Sequence, residues 1–227
     1  MRYILLFFPL VLFSQSSYNF DTKLEYESRY FKEDTISKKR TFLINSTDNS
    51  YYALVIKRDS LYSDIVLHDR DSIHAEVILK KEILEQNIDI NIDCKFVARF
   101  GNPYKFQDKK YEYKQQMDTT INSKIYQSYI LKSNLSEKKV KRKKIGYNTY
   151  ILDSSLESFL PLFEHETAYQ EWKLERNFSN GVFVLMKYYD FEGNLKIEQR
   201  LLDKSNIDKT INIVGDCKPL TNIKITN

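Results

Sequence analysis

Residues 20–31 read FDTKLEYESRYF, and they alternate. Phe20, Leu24, Tyr26 and Tyr30 fall on one parity, with Thr22 and Ser28 between them. Asp21, Lys23, Glu25, Glu27 and Arg29 fall on the other. Successive side chains of a strand point to opposite faces, so a period of two predicts a β-strand with one dry and one wet face. What the dry face covers, a solid core or a cavity, is the question on which function turns.

The same alternation recurs down the chain. RTFLINS and YYALVIK flank the turn-rich TDN, and LYSDIVLH and SIHAEVILK flank DRD, the pattern of two hairpins. NIDCKFVARF reads as one further strand, with Ile92, Cys94, Phe96, Ala98 and Phe100 inside. KYEYK and SKIYQSYILK continue the pattern. VFVLMKYY is apolar on both parities, which places it in the middle of a sheet and covered on both sides. A Glu-Gly-Asn turn joins it to LKIEQRLLD, and KTINIV and NIKIT supply final strands. Helical signals are few. Residues 153–172 carry the best one: Ser154 or Ser155 caps it, and Leu156, Phe159, Leu160 and Phe163 fall at helical spacing, with Pro161 expected to split or kink it. Residues 79–87 offer a shorter helical turn. The predicted class is mainly β (α+β): a curved antiparallel sheet or half-barrel of many strands, with one amphipathic helical segment over its apolar face.

The chain opens on Arg2, an apolar run over residues 4–13, and small polar residues. That is the pattern of a secretory signal peptide, removed after Ser16 or, alternatively, after Ser14. The run is too short to span a bilayer, which takes about 20 residues, and no later run is long enough. The reading is therefore a leader over 1–16, a single β-rich domain over 17–227, and a periplasmic or extracellular location. Net charge is +4 over 227 residues, and loses one unit with Arg2. Two cysteines, Cys94 and Cys217, form a candidate disulfide in an oxidising compartment, and two separate buried thiols are the alternative.

Three clusters bear on chemistry. KKVKRKK holds Lys138, Lys139, Lys141, Arg142, Lys143 and Lys144, six basic residues in seven. It reads as a solvated connection between strands, or as a contact for anionic lipid or polysaccharide. It lacks the spread of basic residues and interleaved aromatics of a nucleic-acid binder. His68 and His74 flank the turn that holds Asp69 and Asp71. Pairing Leu67 with Ile73 would set the two histidines diagonally on one outer face, but their spacing matches no established metal motif, and no metal or cofactor is assigned. Glu164, His165 and Glu166 read as the wet face of the helical segment. No nucleophile elbow, zinc-protease motif or Gly-rich phosphate loop is present, whereas a carboxylate pair of the glycosidase kind leaves no local spacing to find.

The leader, the long alternating strand, INSTDNSYYALVI, the many short strands and the Pro-containing helical segment together resemble secreted β-rich proteins of Gram-negative bacteria. More loosely, the layout is similar to the outer-membrane lipoprotein-carrier fold. That resemblance implies a curved sheet covered by helices around an apolar cavity. YYDFEGNLKIE also resembles one unit of the short hairpin repeats of secreted bacterial proteins. Two readings of the dry face stand. In the first, an apolar small molecule or lipid binds under the helical segment, against Leu24, Tyr26, Leu156, Phe159, Leu160 and Phe163. In the second, the core is solid and the surface binds an envelope protein or glycan.

Overall fold

The computed structural model describes residues 16–31, 35–70, 72–102, 108–175, 178–215 and 217. The apolar leader and the segment read as a final strand, 222–226, lie outside the described residues, as does Asp71.

The elements run β1 (Ser17–Phe31), β2 (Thr35–Asn45), β3 (Asp48–Lys57), β4 (Tyr62–Asp69), β5 (Ile73–Lys80), α1 (Lys81–Gln86), β6 (Asp89–Asp93) and β7 (Val97–Arg99). They continue with β8 (Tyr111–Ile121), β9 (Lys124–Ser133), α2 (Glu137–Lys143), β10 (Tyr147–Asp153), α3 (Glu166–Glu175), β11 (Val182–Tyr189) and β12 (Leu195–Val214). All twelve strands join one sheet, in the order β7-β5-β4-β3-β2-β1-β12-β11-β10-β9-β8, with β6 alongside β12. Neighbours on the main path are antiparallel, and β6 runs parallel to the end of β12. β1 carries the alternation as read: Tyr18, Phe20, Thr22, Leu24, Tyr26 and Ser28 are buried, and the residues between them are less so.

Cross-strand partners share a face. Leu24 pairs with Phe42, Phe42 with Leu54 and Leu54 with Val66, which defines an inner face. Leu43 pairs with Ala53, Ala53 with Leu67 and Leu67 with Ala75, which defines an outer face. Both faces are buried in this half of the sheet, so the wet parity of β1 does not extend to β2–β5. The outer core joins Leu43, Ala53, Ile65 and Leu67 to Ile90, Ile92, Ile211 and Ile213. β11 lies between β10 and β12, as its apolar character predicts.

The sheet is curled toward its inner face. Glu166, at the start of α3, meets His68 on β4, and two residues on, the Ala168 carbonyl accepts from the Tyr113 hydroxyl on β8. Those strands stand eight neighbours apart, roughly 38 Å along a flat sheet. A ten-residue helix is about 15 Å long, so only a half-barrel brings both strands to it.

Several elements differ from the sequence reading, and LKIEQRLLD and KTINIV, read as separate strands, form the single strand β12. NIDCKFVARF is not one strand: Asp93 Oδ1 accepts from the Lys95 N–H at 2.9 Å, a 3-10 turn spans Cys94–Phe96, and the chain leaves β12, inside the sheet, to form the edge strand β7 beside β5. Phe96, expected inside, is exposed. The helical segment also shifts. Only a 3-10 turn forms at Ser154–Leu156, and the helix proper is α3. Pro161 lacks an N–H and disfavours helical backbone at Leu160, so residues 157–165 form a strap. The strap bonds outward: Leu160 N–H to the Ser46 carbonyl at 2.8 Å, and the Phe159 carbonyl from Gly181 N–H at 2.8 Å. Gly181 has φ +143°, and a Cβ there would lie 2.5 Å from the Asp153 carbonyl oxygen.

Candidate functional site

The inner face is covered only in part. The strap lies over Leu24, Tyr26, Phe42, Ile44 and Leu54, and α3 contributes Ala168, Tyr169 and Trp172 to the aromatic cluster that also holds Tyr113, Tyr150, Phe163 and Phe178. Beside the junction of the two, at Glu164, His165 and Thr167, and over β8–β12 and the ends of β1 and β2, an open groove of about 760 Å³ remains. Its floor follows the sheet register. Tyr30, Ile197, Tyr188, Asn148 and Leu131 are consecutive partners across β1, β12, β11, β10 and β9. Five strands span roughly 19 Å. A second row, Gln199, Met186 and Tyr150, runs beside it.

Five tyrosines line the groove: Tyr30, Tyr111, Tyr147, Tyr150 and Tyr188. Burial, and for Tyr111 also the neighbouring Tyr188, holds the Tyr111 and Tyr150 hydroxyls above the ordinary phenol range, so both are protonated at neutral pH. Tyr150 rests against Phe183, ring centroids 4.9 Å apart, which joins the groove floor to the aromatic core. One end is closed by a charged fork. Arg40 bonds Glu164 through both nitrogens, at 2.9 and 2.6 Å, and Gln199 Nε2 donates to the same carboxylate at 2.9 Å. This ties the end of the strap to β2 and β12. Gly146 closes the other end, where a Cβ would collide with the Tyr189 carbonyl and the Tyr188 ring. Rings that offer apolar faces with polar tips, beside Leu131, Met186 and Ile197, suit an elongated ligand that is mostly apolar.

The six residues predicted to meet a ligand sit elsewhere. Leu24, Tyr26 and Phe163 are at most 4% exposed, and the Tyr26 hydroxyl donates to the Phe183 carbonyl at 2.9 Å. Leu156 and Phe159 pack on the strap side, and Leu160 against the aromatic cluster. The structure brings these residues together as packing beneath the strap, next to the groove and not lining it. The basic run is not a loop but the helix α2, which ends on Lys144 in the left-handed conformation. Lys138, Lys139, Lys141 and Arg142 face solvent, and Lys143 and Lys144 reach the groove rim.

The histidine hairpin is also rearranged. Leu67 pairs with Ala75, so His68 and His74 stand directly opposite each other, and on the inner face. His68 is buried against Phe100 and bonds Glu166 Oε1 at 2.8 Å. Arg70 bonds the same oxygen at 2.6 Å, donates to the Phe163 carbonyl, and stacks 4.2 Å over Tyr169. Among the described residues, no three His, Cys, Asp or Glu side chains come together as a metal site. The cluster clamps α3 to β4. Cys94 and Cys217 are joined, with Cα atoms 5.2 Å apart. No helix among the described residues is long and apolar enough to cross a membrane.

No protein family and no curated protein matches the sequence. Among solved structures, the chain is similar to a chain of the Pseudomonas aeruginosa MucA/MucB complex, at 6% identity and a TM-score of 0.43, over 83% of this chain and 52% of that one. It thus spans about half the length of that protein. It is also similar to a candidate outer-membrane lipoprotein-sorting protein domain from Vibrio parahaemolyticus, at 8% identity and a TM-score of 0.32, over 82% of this chain and 85% of that one.

Proposed function

We propose that the protein is an exported binding protein of the bacterial cell envelope whose inner-face groove holds an apolar or lipid-like ligand. The observation that carries this reading is the groove itself: about 760 Å³ of open space over an aromatic and aliphatic floor, left uncovered by the strap and α3. That volume is within the range of ligand sites, about 300–1,000 Å³. The Cys94–Cys217 bridge and the apolar leader support export, since disulfides persist in oxidising compartments. Glycan binding is the second reading, favoured by the five tyrosines, whose ring faces and hydroxyls also suit sugar rings.

The test is native mass spectrometry of the mature chain, purified gently from its host's envelope fraction. The expected result is an added mass that organic solvent extracts and that Met186→Trp, which fills the groove floor, abolishes. A water-soluble saccharide mass with the same sensitivity would establish the second reading. A bare chain mass from the wild type, or a bound mass indifferent to Met186→Trp, would overturn the assignment of the groove.

A further inference from the structure

A second groove, of about 400 Å³, opens on the outer face. Its floor is apolar: Leu43, Val55, Ile90 and Ile207, with Leu84 of α1 as one wall. Leu43 and Ile90 belong to the buried outer core, so the floor is continuous with it. The rim is different in kind. Lys23, Lys39, Lys57, Lys81 and Lys209 stand around it, against two carboxylates, Glu25 and Glu85. The parity of β1 that reads as a plain solvated face thus supplies one bank of a groove.

Four of the five lysines are held in place. Lys23 and Lys39 share Glu25, at 3.3 and 2.5 Å. Lys81 donates to the Asp59 and Ser60 carbonyls at 2.6 and 3.0 Å, and Lys209 to those of Glu85 and Asn87 at 3.3 and 2.5 Å. Two of the five, Lys81 and Lys209, thus donate to backbone carbonyls, and Lys81 also feels the nearby Asp59 carboxylate, so the rim keeps an excess of positive charge, five lysines against Glu25 and Glu85. Lys57 stands exposed on the rim. The rim is a positive ring above an apolar slot, and the remainder of the protein is close to neutral. A purely apolar ligand would leave that ring without a counter-charge. A small inorganic anion would leave the slot unfilled.

We infer that the outer groove binds a single-chain anionic amphiphile, the chain lying along Leu43, Val55 and Ile207 and the anionic head meeting Lys57 and its neighbours. Lipid in the inner groove is a separate proposal, and the two are distinguished by where substitutions act. The probe is dodecanoate, titrated calorimetrically into the mature chain stripped of copurified material. A site is expected that Lys57→Glu weakens at least tenfold while leaving the melting temperature unchanged. Lys39→Glu should weaken it similarly, and Met186→Trp in the inner groove should leave it within twofold. Affinity should fall as salt rises. Equal binding of dodecyltrimethylammonium would remove the role of the lysines. Equal binding of inorganic phosphate would remove the role of the slot. Dodecanoate binding that Met186→Trp abolishes and Lys57→Glu spares would move the amphiphile to the inner groove. Each of these results overturns the inference.

Discussion

Glu166 shows what a buried charge is for in this fold. Arg70 is 2% and Glu166 5% exposed at the side chain, and His68 shares the same carboxylate oxygen. Burial alone would raise the Glu166 carboxyl, but its bonds to His68 and the charge of Arg70 outweigh burial and hold it below its ordinary value near 4.5. A depressed carboxylate contributes stability that is present in full above the unfolded value and lost as pH falls through the folded one. Acidification below about pH 4.5 should therefore loosen the clamp on α3, with no loss from this group at neutral pH. Glu166→Gln leaves Arg70 charged and buried without its counter-ion, which should cost about 3–5 kcal/mol in denaturant unfolding at pH 7. It should also remove this group's part of the acid sensitivity. A loss under about 1 kcal/mol would mean that solvent reaches Arg70 in the variant. Both partners are conspicuous in the sequence, His68 beside a turn and Glu166 in a charged triplet. They are 98 positions apart, and nothing local records that they meet.

At the scale of the element, Pro161 separates what the residues spell from what they build. The spacing of Leu156, Phe159, Leu160 and Phe163 is helical, and all four do face the apolar side of the sheet. They reach it from a strap because the backbone at Pro161 cannot continue a helix. Ser46 in the β2–β3 turn, Asn49 in β3 and Gly181 just before β11 bond the strap's backbone at Leu160, Pro161 and Phe159, bonds that a helix would have supplied internally. Leu160, half-buried, packs against the aromatic cluster. Leu160→Trp should overpack it and cost about 1–3 kcal/mol, read as a lower midpoint in thermal or denaturant melts. Ligand binding in the neighbouring inner groove should be unchanged. An unchanged midpoint, with binding weakened, would instead reveal a ligand cavity beneath the strap. The break in NIDCKFVARF is local too, with a different cause. Its alternation is that of a strand, but the Asp93 side chain closes on the Lys95 N–H, and a bond of that local kind decides the path.

For the molecule as a whole, the strands and their dry parities were legible because alternation is a local property, and local properties survive in sequence. Strand order is not local. β1 and β12, at the two ends of the chain, are neighbours, and the inner groove exists only because Tyr30 and Tyr188 flank Ile197 across that junction. The Cys94–Cys217 bridge belongs to this same long-range closure. It links positions 123 apart, and joins the turn after β6 to the chain just past β12. β6 and β12 are the parallel pair, Asp89–Asp93 beside Thr210–Val214, and Ile90, Ile92, Ile211 and Ile213 from that pair enter the outer core. A loop of this length is worth about 4–5 kcal/mol in the chain-entropy account. Reduction removes that constraint while leaving every hydrogen bond of the inner-face half in place. Amide exchange in a reduced sample should therefore quicken first at residues 90–92 and 211–213, with β9, β10 and β11 still protected. The double variant Cys94→Ala, Cys217→Ala should behave alike. The outer groove includes Ile90 and Lys209, so its affinity for dodecanoate should fall with reduction, and the inner groove's ligand should stay. Exchange that quickens uniformly over all strands would show one cooperative unit, in which the bridge stabilises the half-barrel globally and not the β6–β12 seam.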